Sequence, residues 1–136
     1  MRGFFAQVKY KKLGETEALL AEGDPKGKHP RTGAPVFPYA LGTAMPEAAP
    51  EGDRRQALAD WMTQPNNPWF ARNLANRIWA HFMGRGLIEP VDDLRATNPA
   101  SNPELMTALT QTLVENQYDL RAMIRLITAS RTYQLS

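Results

Sequence analysis

The sequence predicts a mainly α fold: a bundle of about four helices with a small N-terminal β hairpin and a proline-rich wrapping arm. Three observations predict it. Side chains that cap helices stand at Asp53, Asn67, Asn102 and Asp119, each just before apolar residues of helical period; residues 4–11 alternate with the period of a strand; and six prolines interrupt the chain from Pro25 to Pro50. With 136 residues the chain has the size of one domain, large enough to bury a core without a metal or a disulfide.

In FFAQVKYK at 4–11, Ala6, Val8 and Tyr10 fall on one side and Phe5, Gln7 and Lys9 on the other, which predicts a short strand. EALLAE at 17–22 reads as a second strand or a helical turn, and the GDPKGKHPRTGAP that follows is rich in turn formers, so a small hairpin is expected in this region. Each proline of the arm fixes its own φ and removes a donor, which predicts an extended path over the helical part.

Asp53 with Gln56 three residues on predicts a helix through Leu58, Trp61 and Met62 to about Thr63, stopped by Pro65. Asn67 followed by Pro68 is the next start, and Gly84 the stop. Between them Phe70, Ala71, Leu74, Ala75, Ile78, Trp79 and Phe82 form one broad apolar arc. Asn102 and Pro103 repeat the start device before Leu105, Met106, Leu109 and Leu113, with an end near Asn116. Asp119 is expected to cap a fourth helix that turns Leu120, Met123, Ile124 and Ile127 inward and Arg121 and Arg125 outward, finishing near Ser130. The division this suggests is 1–52 for the β element and arm and 53–136 for the helical core, in one compact unit.

Composition narrows the function classes. Sixteen basic and fourteen acidic side chains leave a net charge of +2, so the pI of 9.1 reflects a small excess rather than a basic field, and nucleic acid is disfavoured as a partner. Absence of cysteine removes thiolate nucleophiles and cysteine metal sites, and it leaves the redox compartment undetermined. The first residues carry too short an apolar run for a signal peptide, and no segment reaches the roughly 20 apolar residues of a membrane helix. All five lysines lie between Lys9 and Lys28, whereas the basic residues from Asp53 onward are nine arginines against eight acids. Arginine's planar fork favours bidentate pairing, so paired arginines are expected in the second part.

Candidate polar positions cluster on and after the second helix. On a helical projection His81 falls between Phe70 and Leu74, Arg77 lies at the edge of the apolar arc, and Asn73 stands just beyond. A buried arginine needs a partner, and Asp92 and Asp93 can return to it after the chain turns at Gly84 and Gly86. The candidate network is Asn73, Asn76, Arg77, His81, Asp92, Asp93 and Arg95. One reading makes it a polar pocket in which His81 titrates as an acid, base or ligand. The other makes it a staple that fixes the loop, with His81 donating to a backbone carbonyl. A metal site of His81, Asp92 and Asp93 lacks any supporting spacing, and no catalytic residue or cofactor is indicated. His29 reads as a solvated turn residue.

Other motifs have bland explanations. GRG at 84–86 follows a helix instead of opening one, so it reads as a C-cap and turn rather than a phosphate loop. No GxSxG occurs. Trp61 and Trp79 lie on apolar faces and should pack, whereas Trp69 is the tryptophan expected at the surface. A helix-turn-helix that reads DNA through Arg121, Arg125 and Thr128 is opposed by Glu104, Glu115 and Asp119.

The stretches R-x-x-LA-x-W at 55–61, NPWFARNLANRIWAHFMGRGLIEPVDD at 67–93, NPELMTAL at 102–109 and YDLRAMIRLITASRTYQLS at 118–136 resemble the bacterial domain-of-unknown-function family numbered fifteen fifty-three, found in large planctomycete-type proteins. KHPRTGAPVFP at 28–38 is also similar to a segment that precedes this core in some members. The resemblance implies an exported or periplasmic, multidomain setting, sometimes with a cytochrome c-like segment, and brings no established activity. This chain has no CxxCH, so it cannot itself attach haem covalently. Members usually continue past the position of TYQLS, so the resemblance implies a fragment of a longer protein. The expectations are therefore a structural or interaction module whose partners are neighbouring domains of the same or another protein; an enzyme fragment acting on polysaccharides or their derivatives, with a pocket of Arg77, His81 and Asp92; and, more weakly, a nucleic-acid-binding domain.

Overall fold

A computed structural model describes residues 2–23, 27–43 and 52–135. Two compact units divide the chain, Met1–Trp61 and Met62–Ser136. None of the described helices is long and apolar enough to cross a membrane.

The first unit begins with a 3-10 turn at Arg2–Phe5, where a strand was expected. Packing overrides the alternation there. Gly3 lies so close to the main chain of Phe37 that a Cβ would stand 2.4 Å from its carbonyl carbon, and Phe4 beside it is 4% exposed. Phe5 O then accepts from Val8 N at 3.1 Å, closing a turn that uses up the first half of the predicted strand. The hairpin follows as β1 (Lys9–Leu13) and β2 (Thr16–Leu20), antiparallel from Lys9 opposite Leu20 to Leu13 opposite Thr16. It turns at Gly14, whose φ of 66° suits a two-residue hairpin loop, rather than in the later turn-rich stretch.

That later stretch forms a turn of its own, with a single bridge between Lys28 and Pro35. His29 is exposed there and its Nδ1 accepts from the backbone N–H groups of Arg31 and Thr32, each at 3.3 Å. Residues 27–43 of the proline-rich arm contain no helix and no strand beyond this bridge, while Pro25, Pro46 and Pro50 lie outside the described residues.

Helix α1 (Arg54–Thr63) starts where Asp53 predicts: its Oδ1 accepts from Arg55 N at 3.0 Å, and its carboxylate also takes the Arg55 guanidinium in a bidentate pair. Arg54, 6% exposed, donates from Nη1 to Gly3 O at 3.5 Å within the same unit.

The second unit is built from α2 (Phe70–Met83), α3 (Pro103–Glu115), α4 (Leu120–Thr128) and the one-turn α5 (Arg131–Gln134). The described α-helices are the four expected from the sequence and one more, a single turn capped by the Ser130 hydroxyl that is too short to show a period. Asn67 Oδ1 accepts from Trp69 N and Phe70 N, both at 3.0 Å, so the capping residue is the predicted one, but the ladder starts two residues after Pro68. Gly84 ends α2 at φ 72°. Asn102 caps α3 through Leu105 N at 2.9 Å, with Pro103 at the first turn.

α3 ends in a Schellman motif without glycine: Tyr118 N donates to Leu113 O at 2.8 Å and Gln117 N to Val114 O at 3.0 Å, with φ of 51° at Gln117 and 62° at Tyr118. Asp119 then caps α4 through Arg121 N and Ala122 N. The core joins Ala71 and Ala75 of α2, Leu87 and Ile88 of the following loop, Met106, Leu109 and Leu113 of α3, and Met123 and Ile127 of α4. Leu120, expected to face inward, is 45% exposed at the first position of its helix.

Candidate functional site

The centre of the predicted polar cluster is Asn76. This side chain is fully buried and all three of its hydrogen bonds cross to the loop after α2: Nδ2 donates to Ile88 O and Val91 O at 2.9 Å each, and Oδ1 accepts from Ile88 N at 3.0 Å. A primary amide matches this task because it presents donors and an acceptor together, answering both polar groups of Ile88 where water cannot. Gly86 permits the close approach, since a Cβ there would lie 2.6 Å from Ile88 O and 3.1 Å from Asn76 Nδ2. The carboxylate of Glu89 accepts from Gly86 N at 2.5 Å.

Farther along the loop, Asn98 Nδ2 donates to Glu89 O and Asp93 O, and Ser101 donates to Leu87 O from both its N–H and its hydroxyl. Asn98, Ser101, Glu89 and Gly86 were not among the predicted residues. Their available signal was the density of Asn, Ser and Gly through a long segment between two helices, residue types that bond locally to backbone.

Arg77 pairs with Asp92 through Nε to Oδ1 at 2.7 Å and Nη2 to Oδ2 at 2.5 Å. The expected burial is absent: their side chains are 59% and 57% exposed, so this fork lies in solvent. Arg95 makes the equivalent pair with Asp93, both contacts at 2.6 Å. The Arg95 hydrogen bonds hold the Asp93 carboxyl below the usual carboxylate range and push the guanidinium higher still.

His81 is a correction. It is exposed, its ring meets the Phe82 ring edge-on at 5.1 Å, and among the described residues no hydrogen bond ties it to a backbone carbonyl. The loop covers α2 on the Asn76 side, which turns the buried face of the helix away from His81. Asn73, also predicted, is half-buried, and its Oδ1 has no partner among the described residues. Thus Asn76, Arg77, Asp92, Asp93 and Arg95 lie on or against one loop, whereas Asn73 and His81 make no bond to it.

Chemically, Asn76 holds backbone and each of the two aspartates is occupied by a guanidinium. Among the described residues, no group of three or more His, Asp or Glu side chains could hold a metal ion. Three concavities of this unit lie elsewhere. An open recess of about 660 Å³ is lined by Phe70, Leu74 and Tyr118; an apolar groove of about 480 Å³ runs between α3 and α4; and a smaller one of about 330 Å³ adjoins Arg72. None of the three is lined by Arg77, His81 or Asp92. Tyr118 borders the first, and burial pushes its phenol above the ordinary value while its hydroxyl has no partner among the described residues.

No curated protein and no solved structure matches this chain. Residues 54–136, covering the five described α-helices, match the sequence profile described as PSD1, protein of unknown function (DUF1553), and the chain belongs to that family.

Proposed function

We propose that the chain is a non-catalytic helical module that docks onto neighbouring protein domains through the groove between α3 and α4. The observation that carries this reading is an apolar concavity between two core helices with a large aliphatic side chain presented in it. Trp79, Leu105, Ala108, Thr112 and Ala129 line it, and Leu126 beside them is 48% exposed. A leucine presented in an apolar groove gains stabilisation when a partner covers it, by about 1.5–3 kcal/mol for full burial. The polar cluster supports the same reading, since Arg77 and Asp92 bond to each other in solvent while His81 is exposed and lines none of the three recesses.

The test uses the wild-type chain and Leu126→Glu as baits in the source organism, followed by titration of each recovered protein, purified, against both forms. A partner whose affinity falls roughly tenfold or more with the charge, the order expected for one lost apolar anchor, would support docking at the groove. Arg77→Ala should bind that partner as the wild type does. Partners that bind both baits alike would overturn the proposal.

A further inference from the structure

The two helices that wall the groove carry opposite charge. α3 has Glu104 and Glu115 and no basic side chain, whereas α4 has Arg121 and Arg125 and no acidic one. All four are exposed, and none forms a salt bridge among the described residues. Asp119, just before α4, is engaged as its cap by Arg121 N and Ala122 N. Glu104 stands four residues before Ala108, and Arg125 four before Ala129, so each charge lies one helical turn from a residue that lines the groove.

The same face holds a projection and the space for one. Leu126 is 48% exposed, and the small side chains of Ala108, Thr112, Ala129 and Ser130 line the groove beside it. A two-fold dimer requires such a patch, because each surface there meets a copy of itself and must carry both knob and hole. Charge then selects the direction of the axis. An axis across the groove would stack α3 on α3 and α4 on α4, acids against acids and arginines against arginines. An axis along the groove sets each α3 over α4 of the second copy and opposes two acids with two arginines on both sides.

We propose that the occupant of the groove is a second copy of this chain, related by a two-fold axis along the groove, with Leu126 of each copy seated among the small side chains of the other. This pairing depends on the groove being a docking surface, as proposed above, and fixes what docks there: the neighbouring domain is the same domain of another chain. Apolar contact at the centre supplies the affinity, and the charged rims set the orientation.

Sedimentation velocity of the full chain, from about 1 µM to about 1 mM, should show a monomer–dimer equilibrium. Leu126→Glu enters a two-fold interface twice, so it should weaken dimerisation about a hundredfold, the square of the effect of one lost anchor. Arg121→Glu with Arg125→Glu makes both walls acidic, and Glu104→Arg with Glu115→Arg makes both basic. Each double variant should be monomeric by itself, and an equimolar mixture of the two should form a heterodimer. All four positions are exposed, so both variants should keep the fold, which their circular dichroism checks. A wild-type chain that stays monomeric at about 1 mM, a dimer that Leu126→Glu leaves intact, or a mixture that fails to pair would overturn the second copy as occupant. A monomeric wild type whose binding to some other protein is nevertheless lost in Leu126→Glu would leave the groove as a docking surface with a different occupant. If neither kind of association responds to Leu126→Glu, both readings fall.

Discussion

The loop between α2 and α3 is held on two sides by opposite means, and the contrast ranks them. On its inner side one neutral amide, Asn76, makes three hydrogen bonds where solvent does not reach. On its outer side the charged pairs Arg77–Asp92 and Arg95–Asp93 have shorter contacts and ideal fork geometry, but three of the four side chains are more than half exposed. Contact length alone would rank the ion pairs first. Solvent reverses the order: water competes for an exposed charge and screens it, whereas a buried amide that is removed leaves main-chain groups with nothing to replace it.

Asn76→Ala tests the inner side and should be the most damaging change. It strands Ile88 N, Ile88 O and Val91 O, and the loss should be about 2–4 kcal/mol by urea denaturation, with Ile88 N–H exchanging faster in the folded state. A loss under about 1 kcal/mol would break the ranking, since exposed pairs reach that much. Gly86→Ala attacks the same contact from the loop. Its Cβ would stand 2.6 Å from Ile88 O, and the main chain must shift away from Asn76, at a cost of about 1–3 kcal/mol. The two changes together should cost less than their sum, because each loosens the same bond.

Much of this ranking was hidden from the sequence, for a definite reason. Local chemistry writes helix starts into a few adjacent residues, so Asn67, Asn102 and Asp119 could be read directly and stand at their helix ends in the structure. Periodicity also found the stripe of α3, where Met106, Leu109 and Leu113 are buried as expected. What a helical projection cannot know is which element covers the flank of its apolar arc. The loop 84–101 packs against α2 at Asn76, so the buried face is rotated toward that amide, and His81 and Arg77, which looked internal, face solvent. Asn76 could be named as a member of the polar cluster but not as its centre. The misplaced strand has a similar origin, because the pull on Gly3 and Phe4 comes from Phe37, far along the chain.

Arg77→Ala sharpens the comparison from the outer side. With both side chains more than half exposed, the pair with Asp92 should contribute about 0–1 kcal/mol, and a double-mutant cycle with Asp92→Ala should return a coupling in that range that shrinks as salt is raised. A coupling well above it would mean that the loop excludes water from this fork in solution, and the inner and outer anchors would then be equals.

The smallest expected effect is one of pH, at Asp93. Its carboxyl is held below the ordinary value of 3.8 by hydrogen bonds from Arg95, so folding favours the charged form. The sign follows from linkage: the contribution is fully present above the unfolded value and is lost as pH falls through the folded one. Melting temperatures of wild type and Asp93→Asn should therefore differ by a constant amount from about pH 7 to about pH 5 and converge below about pH 4. The Asp93 backbone carbonyl still accepts from Asn98 in the variant, so the loop keeps that tie, and the difference isolates the charge. If the two curves stayed parallel into acid, the stabilisation would come from side-chain packing instead, and the outer edge of the loop would owe nothing measurable to its charges.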